Sequence, residues 1–173
     1  MSSDRIMAEE PIEKKITRIL IHRKMTVTAA ESCTGGLASS LVTDVPGSSE
    51  YLLGSAVTYS NMAKHKLINV SEESLEAYGA VSWQVACEMA QGVRELFSTT
   101  YGVGITGIAG PGGATEDKPV GLVYMAVADA DGVKWAKHVF GGTRTDNKMR
   151  SALTAISMVI DRIKEKETEN KDK

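Results

Sequence analysis

The segment Ala30-Glu31-Ser32-Cys33-Thr34-Gly35-Gly36 sets a hydroxyl and a thiol directly ahead of two glycines. A β-branched run, Thr26–Ala30, leads into it, and Leu37–Val45 follows with helical character until Pro46-Gly47 stops it. A nucleophile at such a strand-to-helix junction lies near the positive end of a helix dipole, and glycine amides there can serve an oxyanion. Helix capping by Ser32 or Thr34 is the competing use of the same residues. No Gly-x-Ser-x-Gly elbow is present, so an α/β-hydrolase is not indicated. A serine nucleophile needs a base, and His22, His65 and His138 are scattered with no triad setting. Lys64, in Tyr59-Ser60-Asn61-Met62-Ala63-Lys64, is the alternative, because a lysine with a depressed pKa can take the serine's proton. Bringing it from about 10.4 to about 7.5 takes roughly 4 kcal/mol of differential interaction, from burial or a nearby cation such as Arg144. Ser60 with Lys64, four residues apart, and Cys33 with His65 are rival pairs.

Two glycine-rich segments offer binding chemistry. Thr106-Gly107-Ile108-Ala109-Gly110-Pro111-Gly112-Gly113 opens a long loop whose free N–H groups can cradle an anion or an oxyanion. Gly141-Gly142-Thr143-Arg144 follows the last strand, and Arg144, with Lys148 or Arg150, can bind a phosphate or carboxylate. Gly102-x-Gly104-x-x-Gly107 matches a dinucleotide fingerprint in letters only. Two of its glycines fall inside a strand and Pro111 breaks any following helix, so we read close backbone packing.

The elements that position these residues are legible from periodicity. Ile12, Ile16, Ile19 and Leu20 share one face of a helix over 12–23. Tyr51–Tyr59 reads as a strand and Asn61–Ile68 as a helix. A short helix capped by Ser71 ends at Gly79. Val81, Val85, Met89, Val93 and Leu96-Phe97 stripe a long helix opened by Ser82. Tyr101–Thr106 is a strand, Gly107–Lys118 a loop, and Val120–Asp129 and Val133–Phe140 form a hairpin turning at Asp131-Gly132. A last helix starts near Asn147 and buries Met149, Leu153, Ile156, Ile160 and Ile163. The charged tail after Lys164 is expected to fray. Early strands separated by helices pair parallel, and the hairpin adds antiparallel strands, so a mixed sheet with helices packed on it follows.

The 173 residues read as one domain with a core over 12–163 and a loose leader over 1–10. A net charge of -2 argues against a nucleic-acid partner. No apolar run reaches the roughly 18 residues of a membrane helix, and the first residues lack a signal-peptide core, so a cytoplasmic location is expected. Cys33 and Cys87 are far apart, which argues against a disulfide scaffold, and the scattered histidines argue against a metal site.

Taken in order, the junction at Ala30–Gly36, Thr58-Tyr59-Ser60-Asn61 with Lys64, Gly79-Ala80-Val81-Ser82, Thr106–Pro111 and Lys118-Pro119-Val120-Gly121 resemble the C-terminal domain of the CinA family, the nicotinamide-nucleotide amidases. The resemblance spans about 12–163, and the chain looks like the stand-alone amidase type. It implies a three-layer α/β/α sandwich with a mixed, mostly parallel sheet. It also implies hydrolysis of the carboxamide of nicotinamide mononucleotide to nicotinate mononucleotide and ammonia, no cofactor, and a homodimer. Carried over, Ser32 is the nucleophile and Lys64 the base with Tyr59 beside it. Glu31, Thr34, Gly35, Gly36, Thr106, Gly107, Ala109, Gly110 and Arg144 are the expected substrate-binding residues. The chain departs from the pattern at Thr143, where Asp is frequent, in the Arg144-to-Arg150 spacing, and at Ala114, where glycine is frequent. A partner protein of the same fold without turnover, tied to competence or DNA damage, is the alternative.

Overall fold

The computed structural model describes residues 10–171. Along the chain run α1 (Ile12–Arg23), β1 (Val27–Glu31), α2 (Leu37–Thr43), β2 (Leu52–Val57), α3 (Asn61–Ile68), α4 (Glu72–Tyr78), α5 (Trp83–Phe97), β3 (Tyr101–Gly107), β4 (Leu122–Asp129), β5 (Gly132–Val139) and α6 (Arg144–Lys171). Except for Glu10, which pairs with Arg18, the expected leader lies outside the described residues. Local chemistry sets the helix starts. The side chains of Ser60, Ser71 and Ser82 accept from the N–H groups of Ala63, Ser74 and Val85, each capping its helix.

The strands lie in the order β2-β1-β3-β4-β5. β1 pairs parallel with both β2 and β3, β4 pairs antiparallel with β3, and β5 pairs antiparallel with β4. β2, β1, β3 and β5 therefore point one way and β4 alone opposes them. The sheet is mixed and mostly parallel in direction, as the sequence leads one to expect. Alternation along β3 separates the layers. Tyr101, Val103 and Ile105 join the core beneath α1, α2 and α6. Gly102 and Gly104 face α5 on the other side. A Cβ on Gly102 would sit 2.2 Å from the Ala90 carbonyl oxygen, and one on Gly104 would sit 2.3 Å from that of Ala86. The two glycines thus let helix backbone lie on strand backbone, which is the packing role read from their spacing.

Some expected faces differ. Leu96 is 54% exposed and Met149 37% exposed, so each ends its apolar stripe at the surface. α6 starts three residues before Asn147, because Asp146 accepts from both the N–H and the hydroxyl of Thr143 and closes a capping box. It continues as helix to Lys171, past the point where its charges predicted fraying. Those charges have partners elsewhere in the fold. Lys166 binds Asp131 at the hairpin tip, and Glu167 pairs with Arg23 at the end of α1. Ala114 is not among the residues with positive φ, so alanine is unstrained there. Among the described residues, no helix is long and apolar enough to cross a membrane.

Candidate active site

In open α/β sheets the functional crevice opens at the carboxyl ends of strands whose crossovers leave on opposite faces. β1 runs into α2 on one face, and α5 delivers the chain to the adjacent β3 from the other. Ser32 is the first residue past β1, and its N–H is fixed by the Ile105 carbonyl of β3. The cleft there has a volume of about 260 Å³. Ser32, Cys33, Lys64 and Tyr59 line one side, Ala80 and Val81 another, and Thr106–Gly110 with Gly112, Gly113 and Arg144 close it.

Lys64 reaches Ser32 from the first turn of α3. Its Nζ lies 3.0 Å from Ser32 Oγ, 2.8 Å from the Thr58 carbonyl and 3.4 Å from the Tyr59 carbonyl. The side chain is 1% exposed, and no carboxylate pairs with it among the described residues. Burial pulls its pKa down to about 8. In the neutral amine, two N–H groups point at the two carbonyls and the lone pair is left facing Ser32 Oγ–H. That is the geometry of a general base.

The rival pairs come apart. Ser60 is spent as the α3 cap. Burial pushes the Cys33 thiol up to about 11, and the ring of His65 is engaged with the Val70 carbonyl. Cys33 therefore lacks a lowered pKa, and His65 is not available to it as a base.

The remaining expected residues divide into two groups. Thr106, Gly107, Ala109, Gly110 and Arg144 line the cleft. Thr106 Oγ1 donates to the Ala80 carbonyl and holds the wall formed by the segment between α4 and α5. Arg144 donates to the Gly110 carbonyl at 2.6 Å and to Tyr59 Oη at 3.0 Å, fastening the glycine loop to the rim. Tyr59 itself is 61% exposed, and it serves Lys64 through its carbonyl rather than its ring. Glu31, Thr34, Gly35 and Gly36 do not line the cleft. Glu31 is fully buried, and its carboxylate accepts from the N–H groups of Gly36, Ala38 and Ser39 and from Ser39 Oγ. It ties the start of α2 beneath β1. Gly35 and Gly36 shape that turn with φ of +64° and +98°. Arg150 donates to the Gly141 carbonyl, a role in the loop before α6.

Sequence reasoning missed Asn147 as a site-related residue. It is buried on α6, and its Nδ2 donates to the Ala109 carbonyl at 3.0 Å. Its place three residues after Arg144 on one helix was the available signal.

Known proteins share the sequence and fold of this chain. The profile of the CinA C-terminal domain matches residues 9–163. A CinA-like protein of Desulforapulum autotrophicum is 46% identical over 153 residues, covering 88% of this chain and 36% of that protein. A putative competence-damage inducible protein of Moorella thermoacetica is 48% identical over 151 residues, covering 87% and 36%. The chain thus spans about a third of the length of these curated relatives. Among solved structures, the competence/damage inducible protein CihA from Agrobacterium tumefaciens superposes with a TM-score of 0.82 at 37% identity, covering 93% of this chain and 98% of that one. A CinA superfamily protein from Escherichia coli superposes at 0.84 with 29% identity, covering 92% and 93%. With this profile match over nearly the whole chain and these relatives, the chain belongs to the CinA C-terminal domain family.

Proposed function

We propose that this chain is an amidohydrolase that deamidates nicotinamide mononucleotide with Ser32 as nucleophile and Lys64 as base. The observation that carries the reading is the buried Lys64 Nζ, 3.0 Å from Ser32 Oγ, with a pKa lowered to about 8. In the first step Lys64 takes the hydroxyl proton and Ser32 Oγ bonds to the carboxamide carbon. The tetrahedral intermediate collapses, the C–N bond breaks, and the Lys64 ammonium returns the proton to the departing nitrogen as ammonia. Water then adds to the acyl-enzyme with Lys64 again as base, releasing the carboxylate and restoring Ser32. Resemblance to the family names the nucleotide; the serine–lysine geometry supports the amide chemistry.

Ammonia release from nicotinamide mononucleotide by the purified chain tests this directly. Release from other amides alone would replace the substrate. No release from any amide would favour a binding partner without turnover. A second measurement concerns recognition. Arg144 spends two contacts on Gly110 and Tyr59, and a guanidinium has five N–H donors, so others remain for an anion. Charge-assisted contacts are worth about 1.5–3 kcal/mol. Arg144→Ala is therefore expected to lower kcat/KM for the mononucleotide roughly tenfold to a hundredfold and to change that for free nicotinamide little. Equal losses on both would place Arg144 in the architecture of the cleft instead.

A further inference from the structure

We propose that the oxyanion formed at Ser32 is held by the backbone N–H groups of Cys33 and Gly110, and that Asn147 is the positioning residue for the second. This inference rests on the amidase reading above.

The N–H groups around the nucleophile divide into engaged and free ones. That of Ala109, behind an Ile108 carbonyl held by the Gly121 N–H, is free among the described residues, like that of Gly110. Of the two peptides that carry them, only Ala109–Gly110 is oriented by a side chain, that of Asn147. The start of α2 carries N–H groups of the kind that commonly face an anion, but here they are occupied. Gly36, Ala38 and Ser39 donate to Glu31, Gly35 donates to the Ser32 carbonyl, and Leu37 donates to the Thr34 carbonyl. Among the described residues the Cys33 N–H has no acceptor other than its own thiol. Cys33 lines the cleft, whereas Thr34 does not. In α/β-hydrolases the N–H of the residue after the nucleophilic serine holds the oxyanion, and Cys33 occupies the corresponding place in this chain.

The opposite wall supplies the second donor. Ile108 N–H is spent on the Leu122 carbonyl. The Ala109 carbonyl is held by Asn147 Nδ2 from α6. In a trans peptide the C=O of one residue and the N–H of the next point in opposite directions. The Ala109–Gly110 bond is trans, so Asn147 turns the Gly110 N–H away from α6 and toward the cleft that Gly110 lines. That N–H has no acceptor among the described residues. Gly110 sits at φ +88°, and a Cβ there would meet Val120 at 2.5 Å, so glycine alone fits the arrangement. Asn147 is 1% exposed and its Oδ1 has no partner among the described residues. Its contact with Ala109 is therefore the hydrogen bond that orients the side chain.

Two readouts test the proposal. The first is steady-state hydrolysis of nicotinamide mononucleotide. The second is phosphonylation of Ser32 by a small fluorophosphonate, in which Oγ bonds to phosphorus, fluoride leaves and Lys64 takes the proton. Asn147→Ala is expected to lower kcat about tenfold to a hundredfold with KM within about twofold, and to slow phosphonylation in parallel. The pH midpoint of both should stay that of Lys64. Replacing Gly110 by glycolic acid through semisynthesis removes the N–H alone and is expected to cost about 10²–10³ in kcat. This second variant decides the matter if Asn147→Ala does not fold. The proposal is overturned if either folded variant keeps kcat and phosphonylation at wild-type rates, or if only KM or thermal stability changes. Wild-type protein that is phosphonylated at Ser32 but releases no ammonia would refute the amidase reading alone, and the phosphonylation rates of the variants would then judge the two amides. Wild-type protein unreactive in both assays would overturn the proposal as well.

Discussion

Ser32→Ala is expected to lower turnover by about 10⁴-fold or more, the scale seen when a nucleophile is removed from a serine enzyme. Cys33→Ala and Ser60→Ala are expected to keep most of it. The contrast follows from what each group touches. Ser32 Oγ is the hydroxyl within 3.0 Å of Lys64 Nζ. Cys33 has a thiol held protonated by burial, and alanine in its place retains the backbone N–H. Ser60 caps α3, so its loss costs about 1 kcal/mol of stability and leaves the site standing. Initial rates of ammonia release for the three variants, each checked for folding by circular dichroism, settle the point. An active Ser32→Ala beside a dead Cys33→Ala would show that the thiol is the nucleophile.

Lys64→Arg is expected to lose roughly 10²–10⁴-fold in kcat/KM at every pH, because a guanidinium holds its proton throughout the accessible range. The wild-type rate is expected to rise with pH and level off above about 8, since the neutral amine is the working form. A near-normal Lys64→Arg enzyme would mean that positive charge alone matters. The same lysine also weighs on stability. Its folded pKa of about 8 lies below the reference value of 10.5, so the unfolded chain binds the extra proton between those values. Stability should therefore rise with pH from about 8 to 10.5, and the cost is fully present below about 8. The shift corresponds to about 3 kcal/mol. Lys64→Met should be inactive yet unfold at higher urea concentration than wild type at pH 7, with the difference shrinking above pH 8.

How much of this was readable from the chain depends on the range of the interaction. The Val85, Met89, Val93 stripe and its Ser82 cap marked α5 because helical burial repeats locally. Asp131-Gly132 marked the hairpin, whose turn is Ala130-Asp131 with Gly132 already paired to Asp129. Ser32 and Lys64 were legible as residue types and through family resemblance, although they meet only because β1 and α3 converge. Glu31 was misplaced. Nothing in its neighbours tells a carboxylate that binds substrate from one that ties down the next helix. Asn147 was missed because its partner, Ala109, lies 38 residues away. The helical course of the α6 tail was not legible for the same reason, since the charges it pairs with belong to α1 and the β4–β5 turn.

The chain contains two tryptophans, Trp83 at the start of α5 and Trp135 on β5, and their rings stack with centroids 5.3 Å apart at 14°. Tyr124 of β4 leans against Trp135 at 6.3 Å. The tryptophan fluorescence of the protein therefore reports a single contact, that of α5 with the edge strand, on the face of the sheet opposite α6. Neither indole lines the cleft. Tryptophan emission is thus a probe of global unfolding and of fraying at the β5 edge, and it carries no direct signal from a ligand seated at Ser32. A titration of this site calls for Tyr59 emission, an optical label placed near Ser32, or detection by heat or mass.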